Sequence, residues 1–175
     1  NTEILWAVDR FFASSTAKER NEFIRAVKEG GIGLNGLYAN QLTGICRPEE
    51  LIRLTDFARS LRSRYGVTIN DAMITDIPGA TWAAVPALAQ GGIRYFSSGP
   101  NYFATMPDGG DRVGYFNRTW GDRPFYWVSP SGNEKILMWV AGKGYSWFHG
   151  WMLGKMGGTT GPHLFRYLHE LDAKG

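Results

Sequence analysis

The chain has 175 residues, of which 43% are hydrophobic and 20% charged, and its formal net charge is +3. This length and composition suit one domain, or one compact part of a larger one, that buries a hydrophobic core. The small net charge and the scattered Lys and Arg residues give no support to a nucleic-acid partner. No run approaches the roughly 20 apolar residues that a membrane span needs.

The cysteine content does not decide between a reducing compartment and export. Cys46 is the one cysteine in the sequence, so no disulfide forms within the chain. This pattern fits a reducing compartment and is also compatible with export.

The first elements alternate between strands and helices. The apolar run 3–8 predicts a short strand, and Thr16 with Glu19 forms a capping box that predicts the start of a helix. A glycine pair at 30–31 ends this helix, because glycine readily adopts the left-handed conformation that follows a helix. The run 32–39 predicts a second strand.

The middle of the chain continues the alternation. Pro48 is typical of a first helical turn, and the apolar spacing that follows predicts one helix up to Gly66. Residues 67–75 predict a third strand, 81–91 a short helix and 93–99 a fourth strand. Alternating strands and helices predict a parallel sheet with helices outside it.

The last third of the chain departs from this rhythm. Residues 100–124 predict a long loop rich in Gly, Asn, Asp and aromatic side chains. The runs 125–129 and 135–142 flank a turn signal and predict a hairpin. A second loop follows over 142–161, and 161–175 predict a closing helix. No repeat or domain boundary interrupts residues 1–175.

Polar side chains after the predicted strands are the candidates for a functional site, because parallel α/β folds bind ligands at the carboxyl ends of their strands. The candidates are Asn40, Gln41, Asp76, Ser97, Ser98, Asn101, Trp147 and His149. Asp76 is the one carboxylate among them. In the stretch MITDIPGATW it either accepts turn N–H groups or serves as a nucleophile or metal ligand, and the residues alone leave both open.

Other catalytic motifs are absent from the sequence. It contains no G-x-S-x-G elbow, no P-loop, and no H-x-x-x-H or C-x-x-C pair. The chain therefore shows no self-contained zinc site.

The segment DAMITDIPGATWAAVPALAQGGIRYFSSGPN, residues 71–101, resembles the nucleophile segment of glycoside hydrolase family 38, the α-mannosidases. The family pattern is an apolar strand, an I-D-P-F-G-H-S-like turn, a helix that ends in L-L-A-x-x-G, and an aromatic strand. Upstream, TEILW and GIGLNGLYAN are similar to the family's strand, helix and strand before the nucleophile. The resemblance covers roughly residues 1–102.

This resemblance implies the fold, the reaction and the role of Asp76. The fold would be a parallel seven-stranded β/α barrel, of which residues 1–175 form a segment. The reaction would be retaining, zinc-dependent hydrolysis of α-mannosides, with a carbohydrate as the partner. Asp76 matches the nucleophile, which in this family also binds the catalytic Zn²⁺. By their strand-end positions, Thr75, Trp82, Asn101 and Asn40 are expected to line the sugar pocket.

The sequence departs from the family pattern at several points. The turn after Asp76 is I-P-G-A-T, no His precedes His149, and neither the family's His-x-Asp zinc pair nor its acid/base Asp has a counterpart. We expect the remaining zinc ligands and the acid to lie outside this chain, and the segment alone to be inactive. Two other interpretations stay open, a metal hydrolase like the polysaccharide deacetylases and a non-catalytic carbohydrate-binding or scaffold domain. No pattern indicates the oligomeric state.

Overall fold

The computed structural model describes residues 2–77, 79–99, 121–141, 165–166, 168–170 and 172–173. They form a mixed α/β fold around a four-stranded sheet with the strand order β1-β2-β4-β3. The strands are β1 (Asp71–Thr75), β2 (Tyr95–Gly99), β3 (Phe125–Val128) and β4 (Lys135–Val140).

The sheet confirms the predicted parallel arrangement and the predicted hairpin. Strand β2 pairs in parallel with both β1 and β4, whereas β3 pairs with β4 in the antiparallel sense. Strands β1 and β2 begin at Asp71 and Tyr95, later than the starts predicted at 67 and 93. Val67 and Ile69 lie before β1 and pack among the helices instead. A seven-stranded barrel stays a prediction.

Five helices accompany the sheet within the described residues. They are α1 (Leu5–Ser14), α2 (Ala17–Lys28), α3 (Pro48–Arg53), α4 (Asp56–Tyr65) and α5 (Ala84–Gln90). A short 3-10 turn spans Thr43–Ile45, and residues 165, 166, 168–170 and 172 are helical, as predicted for the end of the chain. Among the described residues, no helix is both long and apolar enough to cross a membrane.

The start of α2 follows the capping box that the sequence predicts. The Thr16 hydroxyl accepts a hydrogen bond from the Glu19 N–H, and the Glu19 carboxylate accepts one from the Thr16 N–H at 2.7 Å. The two bonds that the Glu19 carboxylate accepts, from the Thr16 N–H and from the Thr16 hydroxyl, lower the pKa of Glu19 below its ordinary value. The reciprocal pair satisfies two N–H groups that a helix start would leave free.

The strand predicted over 3–8 is wrong, because this run forms the beginning of α1. Leu5 and Val8 are buried and Phe12 packs against the same cluster. This spacing of three and four residues is helical. The apolar run is therefore the first part of a helical stripe that continues past its end.

The single helix predicted from Pro48 to Gly66 is interrupted, and the break separates α3 from α4. The Thr55 hydroxyl donates to the Ile52 carbonyl at 3.2 Å, which competes with the helical backbone pattern. Thr55 is also packed against the Gly91 backbone. The predicted end is correct, since Gly66 caps α4 in the left-handed conformation, with φ 63°.

The strand predicted over 32–39 is also wrong, although this segment lies where a strand would. Within the described residues its ladder pairing is a single isolated bridge between Thr2 and Leu34. The segment nevertheless runs between the amino-terminal residues and β1, so it occupies the edge of the sheet without joining the ladder.

Asn35 explains why the segment lies beside β1 without regular pairing. Its Nδ2 donates to the Met73 carbonyl at 2.9 Å, and its Oδ1 accepts from the Met73 N–H at 3.1 Å. Oδ1 also accepts from the Leu37 N–H at 3.1 Å, and the Gly36 N–H donates to the Asp71 carbonyl at 2.8 Å. A buried side-chain amide thus provides the hydrogen bonds that a neighbouring strand would supply.

Two apolar clusters hold these elements together. The first joins α3 and α5 to one face of the sheet and contains Leu51, Leu54, Ile74, Val85, Leu88, Phe96, Ile136, Met138 and Val140. The second joins α1, α2 and α4 and contains Leu5, Val8, Ile24, Ala58, Leu61, Val67 and Ile69. Strands β1, β2 and β4 are therefore packed on one face against α3 and α5.

Candidate functional site

Asp76 lies directly after β1 and is held in an uncommon backbone conformation. Its φ is 56°, in the left-handed region, and its side chain is exposed. The Asp76 N–H donates to the Gly99 carbonyl at 2.9 Å, so the peptide is tied to the end of the neighbouring strand. Gly79, with φ 93°, donates to the Ile77 carbonyl at 2.8 Å and closes the following turn. Asp tolerates this region better than most residues, yet it remains a strained position.

Thr75 is fixed on two sides immediately before Asp76. Its hydroxyl donates to Glu3 Oε1 at 2.7 Å, and its carbonyl accepts from Asn40 Nδ2 at 2.8 Å. Glu3 is exposed, whereas the Oδ1 of Asn40 is buried and has no hydrogen-bond partner among the residues that the structure describes. Asn40 therefore holds the end of the strand, and its buried oxygen faces away from solvent.

Glu3 is the residue of this region that the sequence analysis missed. It lies 72 positions before Thr75, inside the apolar run 3–8, whose pattern predicts a strand. Its backbone carbonyl accepts a hydrogen bond from Asn35 Nδ2, so the same asparagine that lines β1 also fixes Glu3. A charged residue beside an apolar run was the only available signal, and it does not identify a partner so distant along the chain.

Tyr38 lies on the segment beside β1 and contacts helix α1. Its hydroxyl donates to Asp9 Oδ2 at 2.9 Å. This hydrogen bond, together with burial, raises the pKa of Tyr38 above its ordinary value. Tyr38 therefore stays neutral and acts as a hydrogen-bond donor, not as a base.

An aromatic cleft of about 410 Å³ opens on the face of the sheet that also carries α5. Its lining residues are Gly79, Ala80, Trp82, Ser98, Phe125, Trp127, Met138 and Val140. The ring of Trp127 lies 6.4 Å from that of the buried Phe96. The cleft therefore begins three residues after Asp76 but does not include the Asp76 side chain.

Trp82 is the most exposed ring of this cleft. Its side chain is 58% exposed, yet its Nε1–H donates to the Val128 carbonyl, which fixes the orientation of the indole. A fixed and exposed aromatic face is suited to stacking on the C–H face of a sugar ring or on another apolar plane.

The structure brings together only some of the predicted site residues. Thr75, Asp76 and Asn40 lie together at the end of β1, while Trp82 lies on the aromatic cleft. Asn101 is outside the described residues, as are Trp147 and His149.

The donor set at this edge does not complete a metal site. Among the described residues, no group of three His, Cys, Asp or Glu side chains could hold a metal ion. Structural and catalytic zinc sites in proteins use three or four such ligands. The residues that the structure describes therefore do not fit zinc by themselves.

No family model matches the sequence, and no curated protein matches it. Among solved structures, the chain is similar to 4-α-glucanotransferase from Thermococcus litoralis, with a TM-score of 0.48 and 14% sequence identity. The match covers 76% of this chain and 19% of that one, so the chain spans about a fifth of the length of the structure it matches. A likeness this distant does not assign an activity.

Proposed function

We propose that this chain is part of the catalytic domain of a glycoside hydrolase in which Asp76 is the carboxylate that reacts with the sugar. The observation that carries the proposal is the placement of Asp76, an exposed carboxylate on a strained backbone at the carboxyl end of a parallel strand. Strained backbone positions cluster at functional sites, because the surrounding structure must hold them there. Parallel sheets bind their ligands at this end of the strands.

The surroundings of Asp76 support a chemical role over a turn role. The Asp76 peptide is anchored through its N–H to Gly99, and Thr75 is anchored through its carbonyl to Asn40. Neither anchor uses the Asp76 carboxylate. Among the contacts of the described residues, no hydrogen bond to that carboxylate appears, so it is not satisfying the turn that follows it.

The aromatic cleft favours a carbohydrate over other substrates. Trp82 presents a fixed, exposed indole close to the turn after Asp76, and the half-buried Trp127 and Phe125 line the same cleft. Aromatic planes stack on the C–H faces of sugar rings while the hydroxyl groups stay hydrated. In this proposal Asp76 reacts at one sugar ring and Trp82 stacks on an adjacent one.

The finer assignment is retaining hydrolysis of α-mannosides within a seven-stranded β/α barrel. The Asp76 carboxylate attacks the anomeric carbon as the bond to the leaving oxygen breaks, and a carboxylic acid protonates that oxygen. Water then hydrolyses the glycosyl ester and releases Asp76 as a carboxylate. The acid is expected outside the described residues. The parallel strands β1, β2 and β4 and the segment over 33–40 would be part of the barrel wall, with the antiparallel β3 as an addition at the edge.

Zinc remains part of the α-mannosidase proposal, with Asp76 as the ligand that this chain contributes. The described residues lack a set of three ligands, so the remaining zinc ligands are expected outside them. The zinc content of the native polypeptide, measured beside that of its Asp76→Ala variant, tests this part. About one zinc per chain, lost or loosened in the variant, would make Asp76 a ligand.

The experiment that tests the proposed function uses the native polypeptide and a panel of aryl glycosides that includes the α-mannoside. Turnover is expected for the wild-type protein and a loss of at least 1,000-fold, roughly the effect of removing a covalent nucleophile, for Asp76→Asn. A glycoside that carries fluorine at carbon 2 should trap an ester, and peptide mass spectrometry should locate it at Asp76. Near-normal turnover in Asp76→Asn, or an adduct at another residue, would overturn the proposal.

A further inference from the structure

Glu3 and Thr75 form a hydrogen bond across a gap in the sequence, next to the proposed nucleophile. The Thr75 hydroxyl donates to Glu3 Oε1 at 2.7 Å, the ordinary length of an O–H···O hydrogen bond. Thr75 is the last residue of β1 and precedes Asp76 directly. The contact therefore acts on the residue from which the strained turn begins.

Glu3 is itself held in place, which allows it to hold Thr75. Its carbonyl accepts from Asn35 Nδ2, and the preceding residue, Thr2, donates its N–H to the Gly33 carbonyl at 2.9 Å. Helix α1 begins two residues later with a backbone hydrogen bond from Leu5 to Leu37 at 2.9 Å. The segment that carries Glu3 is thus held by hydrogen bonds at Thr2, Glu3 and Leu5.

We propose that Glu3 is a positioning residue for Asp76 and acts through the Thr75 hydroxyl. This inference rests on the proposed function, because it assigns Glu3 a part in the same site. Asp76 has a φ of 56°, and a residue in that region keeps its conformation only when its neighbours fix it. Thr75 is β-branched and stiff about χ1, so fixing its hydroxyl also fixes the direction of its backbone.

The location of the Glu3–Thr75 pair argues for a role in the site more than in stability. Glu3 is exposed and Thr75 is half-buried, so water replaces the bond readily when the protein unfolds. Because water competes for an exposed bond, we expect its contribution to the free energy of unfolding to lie in the range of an ordinary hydrogen bond, about 0.5–1.5 kcal/mol. A small displacement of a reacting group, by contrast, lowers turnover by up to about 100-fold. Loss of the pair is therefore expected to affect catalysis before it affects folding.

A double-mutant cycle in the native polypeptide tests the proposal, with aryl glycoside turnover as the readout. Glu3→Ala and Thr75→Val are each expected to lower kcat about 10-fold with KM changed by less than about twofold. The double variant should be no slower than either single one, because both remove the same bond. Glu3→Gln keeps an acceptor oxygen for the Thr75 hydroxyl and should restore kcat to within about threefold of wild type.

The matched control is Glu22→Ala, which removes an exposed glutamate on α2 that pairs with Lys18 instead. It should leave kcat and KM unchanged. Thermal unfolding of each variant confirms that the fold is retained. If Thr75→Val does not fold, Thr75→Ala, which also removes the hydroxyl, takes its place in the cycle with the same expected loss of kcat.

The outcomes separate this inference from the proposed function. If the wild type turns over substrate but the losses of the single variants add in the double variant, the positioning role alone is overturned. A normal kcat for Glu3→Ala would overturn it in the same way. Absence of turnover in the wild type on every glycoside would overturn the proposed function, and with it the role of Glu3. If the double variant loses no more kcat than each single variant, the positioning role and the proposed function are both supported.

Discussion

The side-chain amide of Asn35 forms two hydrogen bonds with the backbone of Met73, one through its nitrogen and one through its oxygen. The carbonyl of Met73 accepts from Nδ2 at 2.9 Å and its N–H donates to Oδ1 at 3.1 Å. Asn35 is 1% exposed. One amide thus completes the hydrogen bonding of the edge of β1, whose last residue precedes Asp76, and it links the architecture of the sheet to the candidate site.

Replacing Asn35 with Ala is expected to destabilise the protein by about 3 kcal/mol or more, because each buried polar group left unpaired costs about 1–3 kcal/mol. The free energy of unfolding in urea measures the effect. Asn40→Ala serves as the graded control, since it removes a single bond, to the Thr75 carbonyl. A loss for Asn35→Ala no larger than that for Asn40→Ala would contradict this account.

The order of elements from β1 onward and the position of Asp76 after that strand were predictable from local patterns. The apolar run that ends at Asp76 forms β1, and the turn signal between 129 and 134 forms the hairpin of β3 and β4. Period-2 strands and turn residues are local properties, so a single sequence carries them.

Features that depend on distant contacts could not be predicted in the same way. Nothing near Asn35 in the sequence indicates that its amide pairs with Met73, 38 residues later. Likewise, Glu3 meets Thr75 only after the amino-terminal segment has been placed beside the sheet. The error at α1 has a different origin, because a short apolar run fits a strand and the first turns of an amphipathic helix equally well.

Gly36 is packed so closely that a methyl group has no room. A Cβ at this position would lie 2.8 Å from the Asp71 carbonyl oxygen and 2.3 Å from Ile93 Cδ1. Gly36→Ala is therefore expected to destabilise the protein by about 1–3 kcal/mol, the usual cost of overpacking. Gly44→Ala is the matched control, because nothing lies within 4 Å of its added Cβ. Equal urea midpoints for the two variants would show that the edge of the sheet accommodates the added methyl group without loss of stability, which would contradict the prediction.

Glu134 is expected to make stability depend on pH. The Ser129 hydroxyl donates to Glu134 Oε2 at 2.7 Å and, with Gln90, lowers the pKa of Glu134 in the folded protein. A carboxyl group whose folded pKa is lowered contributes stability above its unfolded pKa, near about 4.3, and this contribution is lost as the pH falls through the folded value.

Unfolding measured from pH 7 to pH 3 tests this pH dependence. The decline in stability at acid pH should become shallower in Glu134→Gln, which no longer titrates, and in Ser129→Ala, which loses the main hydrogen bond. Glu49→Gln is the control, because Glu49 lies on α3 in a solvent-exposed pair with Arg53. Identical acid profiles for wild type and Glu134→Gln would contradict the prediction.

The backbone of Asp76 predicts that stability and turnover respond differently to substitution. Gly adopts a φ of 56° without strain and Asn tolerates it, whereas a β-branched residue in the left-handed region costs about 1–2 kcal/mol. Asp76→Gly is therefore expected to be as stable as wild type or more stable, Asp76→Asn about equal, and Asp76→Val less stable by about 1–2 kcal/mol.

All three remove the carboxylate, so all three should lose glycoside turnover in the native polypeptide. Thermal unfolding and kinetic assays on the same preparations measure both properties. If turnover followed stability across the three variants, Asp76 would be a turn residue, and the carboxylate would have no part in the reaction.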